Sequence, residues 1–306
     1  MSMKVVPYER AMAGELTSAY NECIRGVPHC YPVGVEDFAV ALAPAAGEGK
    51  SHERLHSEAA WAVTEGKAVL GFVHVGTERP EKKGEDEPAR DEQGVIRFMV
   101  YRRGRRQAGQ LLLAAAEDYC RQRGLKQLKA FTDYLYSFYY FPPVRFSDRL
   151  GHVRALLEFN GYEKCDGEVV LDWPDYQPVE PVPAGVPAEI AVKWEDGRGK
   201  RPNLTLKALQ GTREIGWCDC FCAGEYSRAE EAQDWLFTTW LGVADDLHGR
   251  GLGRYLLQRA LKQMHEIGYR HAVLSTDWRN HRAFLFYTNY GYRTVDWTYA
   301  FRRDLP

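Results

Sequence analysis

The chain has 306 residues, 45% of them hydrophobic, and a formal net charge of -2. That length suggests two domains, each able to bury a core, and the near balance of charge argues against a dedicated nucleic-acid binder, which carries a basic excess. Seven cysteines, an odd number in a long chain, argue against a disulfide framework, and no apolar run approaches the ~20 residues that span a bilayer.

The opening MSMKVVPYER is charged at once and has no apolar signal core, so a cytoplasmic protein without a membrane partner is expected. A strand over residues 3–8 leads into a helix over 11–25, and a second helix is predicted over 35–43. Alternation in AAWAVTEGKAVLGFVHVG predicts a hairpin with Glu65 and Gly66 near its turn. Residues 77–94 are charged and carry proline and glycine, the composition of a solvated loop between strands. The strand GVIRFMVY, a helix from about 109 to 124, the strand LKQLKAF, the short glycine-capped helix GHVRALLEFNGY and the strand EVVLDW complete the first half.

Residues 173–189, WPDYQPVEPVPAGVPAE, repeat proline every few positions and favour extended polyproline II. They set the expected organisation: a domain over 1–173, a linker over 174–188 and a domain over 189–306. The second half repeats the order of the first. Its strands are EIAVKWE, NLTLKAL, REIGWCDCFCAG and WLFTTWLGV, followed by a helix over about 251–267, the strand HAVLST, the helix NHRAFLFYTNYG and the strand RTVDWTYAFRR. Gly109 to Gly124 is fifteen residues, as is Gly253 to Gly268, and NGY at 160–162 matches YGY at 290–292. This is a repeat of a whole domain.

Two motifs stand out in the second half. A strand and then Val243, His248, Gly251 and Gly253 precede a helix; further on come Asn280, Ala283, Tyr287, Gly291 and Tyr292. In this order they resemble the GCN5-related N-acetyltransferase (GNAT) family, over about the last seventy residues. His248 is a departure, since the family usually has Arg or Gln there. The first half resembles the same fold with its motifs eroded, and the tandem looks like that of mycothiol synthase-like acyltransferases. The fold class expected is therefore α/β (α+β): two tandem GNAT-like domains, each a mixed, mostly antiparallel sheet flanked by helices, the first degenerate and the second catalytic.

The resemblance implies acetyl-CoA as cofactor and a small-molecule or peptide primary amine as acceptor. A helix N-terminus offers unpaired N–H groups and partial positive charge to a pyrophosphate, and glycine lets the backbone approach closely. Cofactor contacts are thus expected from Leu241, Val243, His248, Gly249, Arg250, Gly251, Leu252, Gly253 and Arg254, with Asn280 as a further contact or a plain helix cap. A dinucleotide fingerprint is the rival reading of the glycines, with Asp277 as its acid. But Leu256 stands at its third glycine position, and too little chain follows for that fold.

By position Tyr287 is the general acid for the departing thiolate; an aromatic core residue is the plainer reading. An alkylamine of pKa ~10.4 must also lose a proton, which costs roughly 4–5 kcal/mol at pH 7. Asp219, Glu225, Asp234, Asp277 or a water chain are candidates for that task. Matching Gly109 to Gly253 places Gln107 at the Gly251 position and Gly104 at that of His248. Matching Gly161 to Gly291 puts Leu157 at the Tyr287 position and Leu150 at that of Asn280. The first copy has given up the chemistry.

Between its first two strands the second half has only DGRGKRP, where the family normally has two helices walling the acceptor site. The aromatic stretch TDYLYSFYYFPPVRFSD of the first half is expected to supply that wall, the alternative being that it packs the domains together. The arginines Arg102, Arg103, Arg105 and Arg106 read as a solvated loop rather than a nucleic-acid site. Cys218, Cys220 and Cys222 share one strand face without the converging ligands that zinc needs, so no metal is expected. The function expected is transfer of an acetyl group to an amine; the alternative is a CoA-binding regulatory protein without turnover.

Overall fold

The computed structural model describes residues 2–42, 55–79 and 91–306. The centre of the charged stretch 77–94, and Ala43 at the end of the expected second helix, lie outside the described residues. The chain forms two compact units that are not contiguous in sequence: Met1–Tyr139 with Val144–Glu168 and Trp297–Pro306, and Tyr140–Pro143 with Val169–Asp296. Among the described residues no helix is long and apolar enough to cross a membrane.

The first unit contains β1 (Met3–Pro7), α1 (Ala13–Ile24) after a helical turn at Arg10–Met12, α2 (Val35–Leu42), β2 (Leu55–Glu65), β3 (Ala68–Glu78), β4 (Gln93–Tyr101), α3 (Arg106–Gln122), β5 (Gln127–Ala130), β6 (Phe146–Ser147) and α4 (Gly151–Phe159). Its antiparallel strands run β1-β2-β3-β4, with β5 parallel to β4. Every residue of β4 is buried, as a strand covered on both faces must be. Glu58, His74 and Arg97 are buried polar groups in this apolar setting. They persist because they pair: Glu58 meets His74 at 2.9 Å and Arg97 at 3.0 Å.

The aromatic stretch goes mainly to the core of its own unit. Tyr134, Tyr136 and Tyr139 are buried there, with Tyr136 stacked on Phe98 at 5.1 Å and Tyr139 edge-on to it at 4.9 Å. Only the short segment Tyr140–Pro143 belongs to the second unit, where Phe141 packs on Tyr226 and Phe237 at 5.7 and 5.8 Å. The arginine run is engaged within its own unit: Arg102 with Glu22, Arg105 with Glu65, Arg103 with the Arg149 carbonyl, and Arg106 over the Phe159 ring.

The second unit contains β8 (Glu189–Glu195), β9 (Asn203–Gln210), β10 (Arg213–Cys222), β11 (Trp235–Val243), α5 (Leu252–Glu266), β12 (His271–Asp277) and α6 (His281–Thr288). Its strand order is β12-β11-β10-β9-β8, with the β11–β12 pair parallel and the rest antiparallel. One face of β10, bearing Cys218, Cys220 and Cys222, is fully buried; Gly216 on that face abuts Leu252 and Leu256 of α5.

The proline-rich segment belongs to this unit and runs along α5 in the opposite direction. Tyr176 donates to the Leu261 carbonyl at 2.9 Å, Val182 N–H to Gln258 at 2.9 Å, and Gly185 N–H to the Arg250 carbonyl at 2.9 Å, while Glu180 pairs with Lys262 at 2.6 Å.

Two strands pass from one unit to the other: β7 (Glu163–Trp173) starts in the first and ends in the second, and β13 (Arg293–Asp304) does the reverse. The strand that pairs with β5 is therefore the last of the chain, in the register Phe301 to Ala130 and Asp304 to Gln127. Phe301 is fully buried and lies edge-on to Phe131 at 6.4 Å. Phe301→Ala is expected to destabilise the first unit by ~3–5 kcal/mol, the usual cost of emptying a phenylalanine site. Urea unfolding followed by circular dichroism measures it; a change below ~1 kcal/mol, within the range of surface substitutions, would mean that the end of β13 is peripheral.

Candidate functional site

The site expected in the second half is built where β11 leaves β12. The two strands pair at Trp235–His271, Leu236–Ala272 and Phe237–Val273 and no further, although β11 runs on to Val243 and β12 to Asp277. Backbone groups of β11 beyond Phe237 thus lack a ladder partner on that side. On its other side β11 slips by one residue against β10: Asp219 faces Trp240, Cys220 faces Thr238, and Thr239 is the extra residue of a bulge. Leu241 and Val243 lie in the half-exposed end of β11.

At the end of β11 the chain turns through Asp245–Leu247 into α5. Gly249 and Gly251 both adopt left-handed backbone, with φ of 79° and 82°. Gly251 is the N-cap of α5, so no side chain caps the amides of Leu252, Gly253 and Arg254. A Cβ on Gly251 would meet nothing nearer than the Arg254 guanidinium at 3.4 Å. Arg250 and Arg254 are exposed beside it. His248 donates from Nε2 to the Val243 carbonyl at 2.9 Å and accepts from Arg282 at Nδ1 at 3.1 Å, which fixes the ring across the turn. Arg282 was not singled out in the sequence: it lies between motif positions, and only the fold brings α6 beside His248.

Asn280 caps α6, its Oδ1 accepting from Ala283 N–H at 3.1 Å. Tyr287 is the one buried residue of α6. Its ring sits edge-on to Tyr292 at 5.8 Å, and burial beside Cys218 and Cys220 pushes its phenol above the usual tyrosine range. The glycine turn, the freed edge of β11, Asn280 and Tyr287 all fall within the second unit.

Residues 203–294 match the model of the acetyltransferase (GNAT) domain. The chain is similar to a tandem GNAT protein from the clavulanic acid biosynthesis pathway (TM-score 0.65, 14% identity, 99% of this chain and 98% of that one). It is similar also to a GCN5-related N-acetyltransferase from Sphaerobacter thermophilus (TM-score 0.59, 14% identity, 99% and 95%). A third likeness is to a glucosamine N-acetyltransferase region in a fungal multi-domain GH3 β-N-acetylglucosaminidase (TM-score 0.65, 14% identity, 99% and 38%). No curated protein matches the chain. The fold is that of a tandem GNAT protein.

Within this GNAT fold the four candidate carboxylates separate. Asp277 is held below the usual carboxylate range by its hydrogen bond from Arg279. Asp234 is engaged by Arg201 at 2.7 Å. Glu225 fastens the short β8–β9 connection, accepting from Arg198 N–H at 2.9 Å and Asn203 at 3.0 Å. Asp219 is the one beside the bulge; its Oδ1 accepts from Thr205 at 2.8 Å.

The first unit differs at the corresponding place. The β3–β4 pairing slips at Arg97 just as β10–β11 slips at Thr239, which sets Tyr101 at the position of Val243. Gly109 is retained, but for another reason: a Cβ there would lie 2.4 Å from the Tyr101 ring. The ring thus fills the space against the helix start, with its hydroxyl on the His152 carbonyl at 2.8 Å. Gln107 lies inside α3, and Leu150 and Leu157 are buried.

Gly251→Ala forces an L-residue into left-handed backbone, at a cost of roughly 1–2 kcal/mol, with no steric clash added. A thermal melt is expected to show that loss; an unchanged melting temperature would show that the turn relaxes to another conformation.

Proposed function

We propose that the protein is an acetyl-CoA-dependent N-acetyltransferase, active in its second unit, that acylates a primary amine by direct transfer. One observation carries this reading: an uncapped helix start with a left-handed glycine stands at the point where β11 parts from its parallel neighbour. The same place in the first unit is occupied by Tyr101. A pyrophosphate fits the former, since the amides of Leu252, Gly253 and Arg254 and the cations Arg250 and Arg254 offer it donors and charge. His248, held across the turn, keeps the loop in that shape.

Acetyl-CoA, when bound, supplies the acyl group activated as a thioester. The unladdered edge at Leu241 and Val243 offers backbone donors and acceptors to an amide-bearing chain, as a strand edge does. Asn280 orders the start of α6 and so fixes where Tyr287 stands. The Tyr287 phenol keeps its proton at every working pH, because burial raises it. It serves best as a hydrogen-bond donor to the sulfur as negative charge develops there, since full transfer from a phenol of pKa above 10 to a thiolate of ~8.5 is uphill.

One CoA per chain is expected by titration calorimetry, with at least tenfold weaker binding in Gly251→Gln; two equal sites, or unchanged affinity in the folded variant, would move the cradle elsewhere. Tyr287→Phe preserves the ring packing and removes the donor. It is expected to lower kcat by ~10²–10³-fold with little change in CoA affinity. Thiol release with a panel of amines reads this, and binding of CoA without any release would make the protein a CoA-binding regulator.

A further inference from the structure

In the first unit one face of β3 and β4 carries Phe72, His74 and Phe98. Phe72 and Phe98 are parallel rings 6.1 Å apart at 14°. Tyr136 stacks on Phe98 at 5.1 Å and 18° and places its hydroxyl 3.0 Å from His74 Nδ1. Phe38 of α2 closes edge-on over Phe72 at 5.4 Å. The face is thus filled by side chains of its own unit.

The two bulges put the copies in register. With Arg97 set on Thr239, Phe72 falls on Trp217, His74 on Asp219 and Phe98 on Trp240. The geometry of the pair is kept: Trp217 and Trp240 are parallel, 6.1 Å apart at 3°. Gly242 makes this possible, since a Cβ there would lie 2.9 Å from the Trp217 ring. The cover is not kept. The connection that holds α1 and α2 in the first unit is only residues 196–202 in the second, Trp240 is 57% exposed, and among the described residues Trp217 is the only ring upon it. Asp219 uses Oδ1 for Thr205 and, among the described residues, makes no hydrogen bond through Oδ2, while Lys207 nearby is paired with Glu214 at 2.7 Å.

We propose that this face binds the acceptor, and that the acceptor is an arylalkyl primary amine whose ring lies on Trp240 and whose ammonium meets Asp219 Oδ2. The inference rests on the N-acetyltransferase reading for calling this ligand the acceptor. Tyr136 on Phe98 and His74 is the internal template: a planar ring on an aromatic shelf with a donor on the polar group beside it. The replacements set the ligand's charge. A neutral phenol suits His74, whereas a carboxylate with a free oxygen calls for a cationic donor, and an exposed indole face suits a planar ring stacked on it. Asp219 also adjoins the bulge through the Thr239 hydroxyl, which donates to its carbonyl at 3.2 Å, so the amine is delivered beside the freed edge of β11.

The test uses the full chain and 2-phenylethylamine, with putrescine as the ringless comparison. Saturation-transfer NMR without acetyl-CoA is expected to show phenylethylamine binding more tightly than putrescine, and at least tenfold loss in both Asp219→Asn and Trp240→Ala, with Trp240→Phe retaining most of it. In the thiol-release assay the same variants are expected to raise the KM for phenylethylamine at least tenfold while CoA affinity stays unchanged. Equal binding by the wild type and both variants, or no phenylethylamine binding at millimolar concentration, overturns the proposal. Asp219-dependent amine binding in a protein that does not bind CoA would overturn the acetyltransferase reading and leave this site standing. Turnover of other amines with no binding of this one would do the opposite.

Discussion

The parting of β11 from β12 is the constraint on which the second unit depends. A parallel pair is held by evenly spaced, slanted hydrogen bonds, and here it stops after Phe237–Val273. Backbone groups so released need partners, and water or a ligand must provide them. The bulge at Thr239 and the glycine turn after Val243 flank this gap on the same strand. Cofactor and acceptor readings therefore meet along one strand: the helix-start donors lie beyond its end, Tyr287 is beside the buried cysteine face, and Asp219 is on the opposite face.

The first unit keeps the same bulge and the same parting, since β4 and β5 pair only from Gly94–Leu128 to Ile96–Ala130. It answers them with its own side chains. Tyr101 takes the space against the helix start and Tyr136 the aromatic shelf. The corresponding places in the first unit are thus occupied by its own side chains. An unfilled shelf there would leave apolar walls in water, and large exposed apolar patches are rare on stable monomers.

Much of this was legible in the sequence because its elements are strongly periodic and sharply punctuated. β8 and β11 have the expected limits, and α5 starts one residue after the expected glycine. Asn280 and the glycine turn stand out in the sequence because helix caps and left-handed backbone restrict which residues serve there, and Tyr287 stands out by the motif resemblance. The destination of β13 was not legible: alternation tells which side chains face inward, but not which neighbour a strand chooses. The fate of the aromatic stretch was missed for a related reason, since composition says that rings will be buried and not where. Nor could proline content show that residues 176–185 bind along α5; polyproline II leaves backbone groups free, and these find partners on Gln258 and Arg250. The shelf at Trp217 and Trp240 needed the bulge register, which no spacing in the sequence reveals.

The crossing of β7 and β13 bears on how the protein is made. Domains usually fold in the order of synthesis, the N-terminal one first. Here the first unit lacks its final strand until residues 297–306 have left the ribosome. From the emergence of β5 until that of residues 301–304, β5 lacks the strand it pairs with beside the Phe131 ring, and unpaired strand edges are prone to pairing with other chains. The first unit is thus completed only after residues 169–296 of the second have been made.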